Sequence, residues 1–191
     1  KGVLVIGFGS YTKLFRFLAK TPKLYRATLW LGAKSDSLDI ELIDEVEKIK
    51  ELDDLLVQEA LESLCGELEY TPPIYSAKQV DGKRAYDIAR SGGSVELQKI
   101  KSTIYETKLI HYSHPFVTFD ALVSEGSYIR SLGLILANRL GVSHGSLSAL
   151  ERLREGRFVY EDEKELVVRN SLELRQNCYN GEWENLKYGR V

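Results

Sequence analysis

Residues 116–123, Phe-Val-Thr-Phe-Asp-Ala-Leu-Val, alternate in polarity, and shortly afterwards the period changes to that of a helix running from Tyr128 to Leu140. A period of two dictates a half-buried strand, and apolar residues three and four apart dictate an amphipathic helix. The chain must therefore turn sharply within Ser124-Glu125-Gly126-Ser127 and deliver Tyr128 and Arg130 into the first helical turn. A guanidinium beside an aromatic ring at such a corner can be partly buried, and then needs a carboxylate partner. That partner is either ordinary scaffolding or a catalytic acid.

The remaining elements read off in the same way. Val3–Ile6 predicts a short buried strand, Gly7-Phe8-Gly9 a turn, and Ser10 the cap of a helix from about Tyr11 to Lys20. Tyr25–Gly32 alternates, with Tyr25, Ala27, Leu29 and Leu31 on one side and Arg26, Thr28 and Trp30 on the other. Ala33–Asp39 is a polar loop. Leu52–Cys65 predicts an amphipathic helix closed by Gly66, with Leu52, Leu55, Leu56, Ala60 and Leu64 on its apolar face. Thr71-Pro72-Pro73 forces extended chain, and Lys83–Ser91 reads as a short helix. Ile100–Tyr112 and Phe116–Val123 look like neighbouring strands, followed by the 128–140 helix, a Gly/Ser-rich loop (141–148), a short helical piece (149–155) and a charged tail. Strands and helices do not alternate strictly, so the class is α+β, a mainly antiparallel mixed sheet flanked by helices.

At 191 residues, 43% apolar and 28% charged, the chain is one globular domain with no apolar run of membrane-spanning length. Two distant cysteines, Cys65 and Cys178, indicate unpaired thiols in a reducing, cytoplasmic compartment. Three histidines without metal-type spacing argue against a metal site. The net charge of −2 conceals an uneven distribution: residues 41–69 carry eleven acids and two lysines, whereas residues 78–108 carry seven bases and four acids. One stretch repels phosphate and the other attracts it, though two solvated faces of opposite sign would look the same. The sequence contains no methionine, and Lys1 leads straight into an apolar run, so it reads as the inner portion of a longer chain in which no targeting peptide can be assessed.

Three stretches carry chemistry. Gly7-Phe8-Gly9-Ser10-Tyr11-Thr12 imitates a dinucleotide fingerprint, but Thr12 holds its sixth position and no acid closes a following strand. A tight turn fits better. Residues 73–92, with Tyr75, Lys78, Lys83, Arg84 and Tyr86, interleave aromatics with bases. Such surfaces suit unpaired RNA, whose bases stack on rings while cations neutralise phosphates; an ordinary amphipathic helix is the alternative. Tyr25, at a strand start, is by default a boundary aromatic.

Taken in order, these blocks resemble the bacterial tRNA pseudouridine synthase B family (TruB). The resemblance runs from Gly2 to about Phe158: Gly2–Gly9 with Thr12-Lys13, Lys23–Gly32, Ser35–Asp39, the segments within 73–92, Gly126–Leu132, and Leu150–Phe158. It implies a pseudouridine synthase-like catalytic domain over residues 1–158 that lacks its N-terminal segment, with residues 75–101 as an RNA-gripping insertion. Residues 159–191 would be a short tail, too small for a separate RNA-binding domain.

The resemblance further implies conversion of a uridine in the tRNA T-loop to pseudouridine, with tRNA (its T-arm) as partner, a monomeric state, and no cofactor, metal or membrane. Tyr25 would stack on the flipped base, Tyr128 would line the pocket, and Leu150 would pack near the base. Tyr75, Lys78, Lys83 and Arg84 would hold the RNA. Arg130 would orient a nucleophilic aspartate placed about four residues before Lys1. The sequence as given would then be inactive. A non-catalytic RNA-binding or tRNA-chaperone module is the alternative function; it has no use for an arginine poised at a buried corner.

Overall fold

The structure, a computed structural model, describes residues 1–76, 79–80, 83–90 and 97–160. Its centre is β1 (Lys23–Leu31), flanked on both sides by antiparallel partners. In chain order there follow β2 (Ala33–Ser35), β3 (Ile43–Val46), α1 (Asp54–Glu62), β4 (Gly66–Tyr70), β5 (Gln79–Val80), β6 (Lys83–Arg84) and α2 (Ala85–Arg90). Then come β7 (Ile100–Ser113), β8 (Phe116–Val123), α3 (Ile129–Arg139), β9 (Gly145–Glu155) and β10 (Phe158–Val159). Six strands form one sheet in the order β10-β9-β1-β8-β7-β4, while β2-β3 and β5-β6 are separate hairpins.

The two faces of β1 are those that the alternation predicts. Ala27, Leu29 and Leu31 are buried in the core with Val117, Phe119, Ala121 and Leu147 from the neighbouring strands. On the other face three residue pairs stand directly opposite each other between β1 and β8. Arg26 makes a two-pronged contact with Asp120 (2.8 and 2.9 Å), the Thr28 and Thr118 hydroxyls meet at 3.0 Å, and the Trp30 and Phe116 rings lie 5.5 Å apart. Cross-strand pairs of this kind lock register. The hydrogen bond to Asp120 is also the main reason that the Arg26 pKa is raised above its usual value.

Helix α3 covers the core face through Ile129, Leu132, Leu136 and Ala137. It sits close to the sheet because two glycines leave room: a Cβ on Gly133 would fall 3.0 Å from Leu147, and one on Gly145 only 2.8 Å from the Ala137 Cβ. The turn that feeds this helix uses Gly126 at φ +81°, a conformation open to glycine at little cost.

Four expectations need correction. Val3–Ile6 is not a buried strand: Gly2 forms a single parallel bridge to Arg152, and Leu4 and Ile6 are exposed. The reason is local, since β10 already occupies the same edge of β9 at Arg154 and Glu155. The next helix is a 3-10 helix, Gly9–Phe17, so Ser10 lies inside it instead of capping it. There the Thr12 hydroxyl donates to the Gly9 carbonyl at 2.8 Å, competing with α-type bonding. The Asp53 side chain caps α1 by accepting from the Leu55 N–H, and the helix buries Val57, Ala60 and Leu61, leaving Leu55 69% exposed. Both stripes have helical spacing; packing against β7 selects one of them.

Lastly, residues 145–155 form strand β9 and not a loop followed by a helical piece. Two register shifts against β1 leave Ser148 and Leu153 without opposed partners. These bulges place Leu147 with Leu150, and Arg152 with Glu155, on one face at a spacing of three, which imitates a helix. The strand is fixed by its pairing along the whole of β1.

The close seating of α3 has a measurable consequence. Gly145→Ala should destabilise the chain by about 1–3 kcal/mol, because the added methyl meets Ala137 and Leu29 in a packed interior. Urea unfolding of the two proteins measures the difference.

Candidate active site at the start of the long helix

Arg130, in the first turn of α3, is half-buried. Its Nη1 donates to the Ser37 carbonyl at 2.9 Å and its Nη2 to the Tyr75 carbonyl at 2.8 Å. Among the described residues it forms no ion pair, and these two main-chain carbonyls hold it in place. A charged donor on two carbonyls satisfies groups that would otherwise be costly to bury.

The loop that presents Ser37 is pinned by its own hydroxyls. The Ser35 and Ser37 hydroxyls lie 2.9 Å apart and both reach the Glu41 carbonyl, so their two protons serve that carbonyl and the link between them. Leu38 adopts φ +57°, and its carbonyl accepts the Leu147 N–H at 3.0 Å, while Asp39 bridges to Leu147 in parallel fashion. This loop therefore lies along the outer edge of β9. The first residue of the chain lies farther along that edge: the Lys1 amino group donates to the Leu150 carbonyl at 3.4 Å and the Lys1 carbonyl accepts the Arg152 N–H at 3.1 Å.

Tyr25 and Leu150 belong to one surface. Tyr25 is paired with Arg152 and Ala27 with Leu150, so all four side chains project from the face that α3 covers. Tyr25 and Tyr128 are both half-buried and pack against the same core cluster, and Leu150 remains 37% exposed. Beside Tyr25 an ion triad closes the end of the sheet. Glu155, 8% exposed, bonds to Lys23 at 3.2 Å and to Arg152 at 3.1 Å, and Arg152 Nε donates to the Val3 carbonyl. A buried carboxylate with two cations and a positioned third contact is compensated.

The segment leading to Tyr75 is fastened to the same helical turn. Tyr128 N–H donates to the Tyr70 hydroxyl at 3.0 Å, and the Ser131 hydroxyl donates to the Thr71 carbonyl at 3.2 Å. Tyr70 stands in none of the blocks that carry the resemblance, and Ser37 and Ser131, though within two of them, look there like routine loop and helix residues. Of the expected site residues, the structure joins Arg130 to Tyr75 directly and sets Tyr25, Tyr128 and Leu150 on or at the end of one sheet face. Lys78 lies outside the described residues, as do the side chains of Lys83 and Arg84.

The competing nucleotide site loses its main support. A Cβ on Gly7 would fall 2.5 Å from the Phe15 ring, so this glycine accommodates a side chain. Beyond Arg130 a groove of about 530 Å³ opens between the 33–38 loop, residues 70–74 and the flank of α3.

Comparison with known proteins is consistent in direction. A family model described as "TruB family pseudouridylate synthase (N terminal domain)" matches residues 1–129. A protein of Sulfurimonas denitrificans named tRNA pseudouridine synthase B is 68% identical over 191 residues, which is all of this chain and 70% of that protein. One of the same name from a Sulfurovum species is 51% identical over 189 residues, covering 99% of this chain and 68% of the relative. Among solved structures, a chain of a Cbf5-Nop10-Gar1 complex superposes with a TM-score of 0.60 at 21% identity, over 84% of this chain and 38% of that one, a likeness of fold.

Proposed function

Because this chain belongs to the TruB family of pseudouridylate synthases, which are isomerases of uridine, we propose that the protein it forms part of acts on a uridine in the T-loop of tRNA. The reaction breaks the bond between C1′ of the ribose and N1 of the base and forms one between C1′ and C5. The C5 proton leaves and N1 gains one, so neither water nor electrons are consumed. A stacked uridine is out of reach, so the base must be flipped from the RNA. Tyr25 stacks on the flipped base, with Leu150 and Tyr128 beside it.

The nucleophile is an aspartate carried by polypeptide before Lys1. The observation that carries this reading is the direction of the chain at its first residues. Gly2 runs parallel to β9 at Arg152, and Lys1 lies at Leu150, so residues preceding Lys1 continue back along that edge towards Leu147. Four residues of extended chain cover about 13 Å. That distance leads from Leu150 to the region of Leu38 and Asp39, next to the Ser37 carbonyl on which Arg130 is anchored. A carboxylate arriving there meets the free edge of the guanidinium, which keeps it ionised and aimed at C1′. Residues 75–101, with Tyr75, Lys78, Lys83 and Arg84, hold the T-arm, in a protein that is cytoplasmic and monomeric.

In the whole protein, Arg130→Ala should abolish pseudouridine formation in a tRNA transcript while binding survives in a filter or anisotropy assay; a near-normal rate would refute the role. Residues 1–191 alone should form no pseudouridine, and measurable turnover by them would show that the nucleophile lies elsewhere. Replacing Lys83 and Arg84 together by alanine should weaken tRNA binding and reduce the slope of log affinity against log salt by roughly 1.5. An unchanged slope would remove that segment from the RNA interface.

A further inference from the structure

We propose that Tyr70 is a positioning residue for the isomerisation: it fastens both roots of the RNA-holding segment to the helical turn that carries Arg130. This inference rests on the function proposed above.

Tyr70 is the last residue of β4 and only 6% exposed. Its ring packs in the core, and its hydroxyl has two partners. One is the Tyr128 N–H at 3.0 Å, a donor at the start of α3 with no partner inside the helix. The other is the Ser102 hydroxyl at 2.9 Å, on β7. The basic segment leaves the sheet just beyond Tyr70 and returns at Ile100, which is the residue paired with Tyr70. A single phenol thus touches the exit of the segment, its re-entry and the helix start.

Two further bonds tie the exit to the same turn: the Ser131 hydroxyl on the Thr71 carbonyl and Arg130 Nη2 on the Tyr75 carbonyl. Between these points stand Pro72 and Pro73, whose rings fix their own φ angles and restrict the residue before each of them. The strut is stiff. Force applied by RNA to the basic segment therefore reaches Arg130 with little slack. Without the Tyr70 hydroxyl, Tyr128 N–H turns to water, the helix start relaxes, and Arg130 no longer stands where the nucleophile needs it. The bond serves geometry more than affinity.

The test uses the whole protein and a tRNA T-arm transcript, with single-turnover conversion and RNA binding measured separately. Tyr70→Phe should slow conversion about tenfold to a hundredfold while the dissociation constant stays within about twofold. The control is Tyr112→Phe, which removes a hydroxyl that accepts the Leu52 N–H at 3.0 Å elsewhere in the fold, and should leave the rate unchanged. A wild-type rate in Tyr70→Phe, an equal loss in Tyr112→Phe, or a loss explained wholly by weaker binding would overturn the inference. If Tyr70→Phe does not fold, Ser131→Ala reads the same clamp, and a normal rate in it overturns the inference equally. Wild-type protein that converts no uridine would overturn the proposed function itself, an outcome distinct from an active wild type with an unaffected variant.

Discussion

One planar cation holds two separate stretches of chain against the start of a helix. The Arg130 guanidinium reaches Ser37 on one side and Tyr75 on the other, and each acceptor is a main-chain carbonyl in irregular backbone. Such carbonyls are expensive to bury without a donor, and the fork geometry of arginine serves two at once. Lysine, with its compact ammonium, could not span them in the same way. The serine-pinned loop, the proline strut and α3 are therefore positioned relative to one another by a side chain that still has donors left for a ligand. Under the proposed function, the residue that holds this corner together is also the one that orients the nucleophile.

Much of this was legible in the chain itself. The alternation from Tyr25 to Leu31 gave both faces of the central strand, and the change of period after Val123 located the Gly126 turn and α3. What misled were positions where a tertiary partner, and not local pattern, decides. Leu55 and Val57 both lie on plausible helical stripes, and only contact with β7 selects the second. Val3–Ile6 has the composition of a strand, yet β10 takes the edge that it would need. At the candidate site, Tyr128 and Arg130 stand out in the sequence as an aromatic and a base at a strand-to-helix corner. Tyr25 reads by itself as a boundary aromatic and is singled out only by the family resemblance. Residues acting through a hydroxyl or a carbonyl, such as Tyr70 and Ser37, could not be picked out, because their partners lie far away along the chain.

The opposed charges of residues 41–69 and 78–108 meet in the sheet. Strand β4 carries Glu67 and Glu69, and pairs with β7, where Lys101 stands opposite Glu69. The acidic stretch thus runs beside a base of opposite sign where the basic segment re-enters the fold. An edge strand studded with glutamates also discourages pairing with a further strand. Among the described residues no further strand pairs with this rim.

The bulges of β9 give the strand a hidden fragility. In a regular strand Leu147 and Leu150 would project to opposite sides; the unpaired Ser148 brings them to the same one. Were Ser148 to pair with Thr28 at unchanged length, Ala149 would stand opposite Ala27, and Leu150 would turn to the reverse of the sheet, away from Tyr25. Removing the serine altogether would instead keep Leu150 in phase, two residues from Leu147 in a regular ladder. Phase here is set by which residue is left unpaired, and not by its identity.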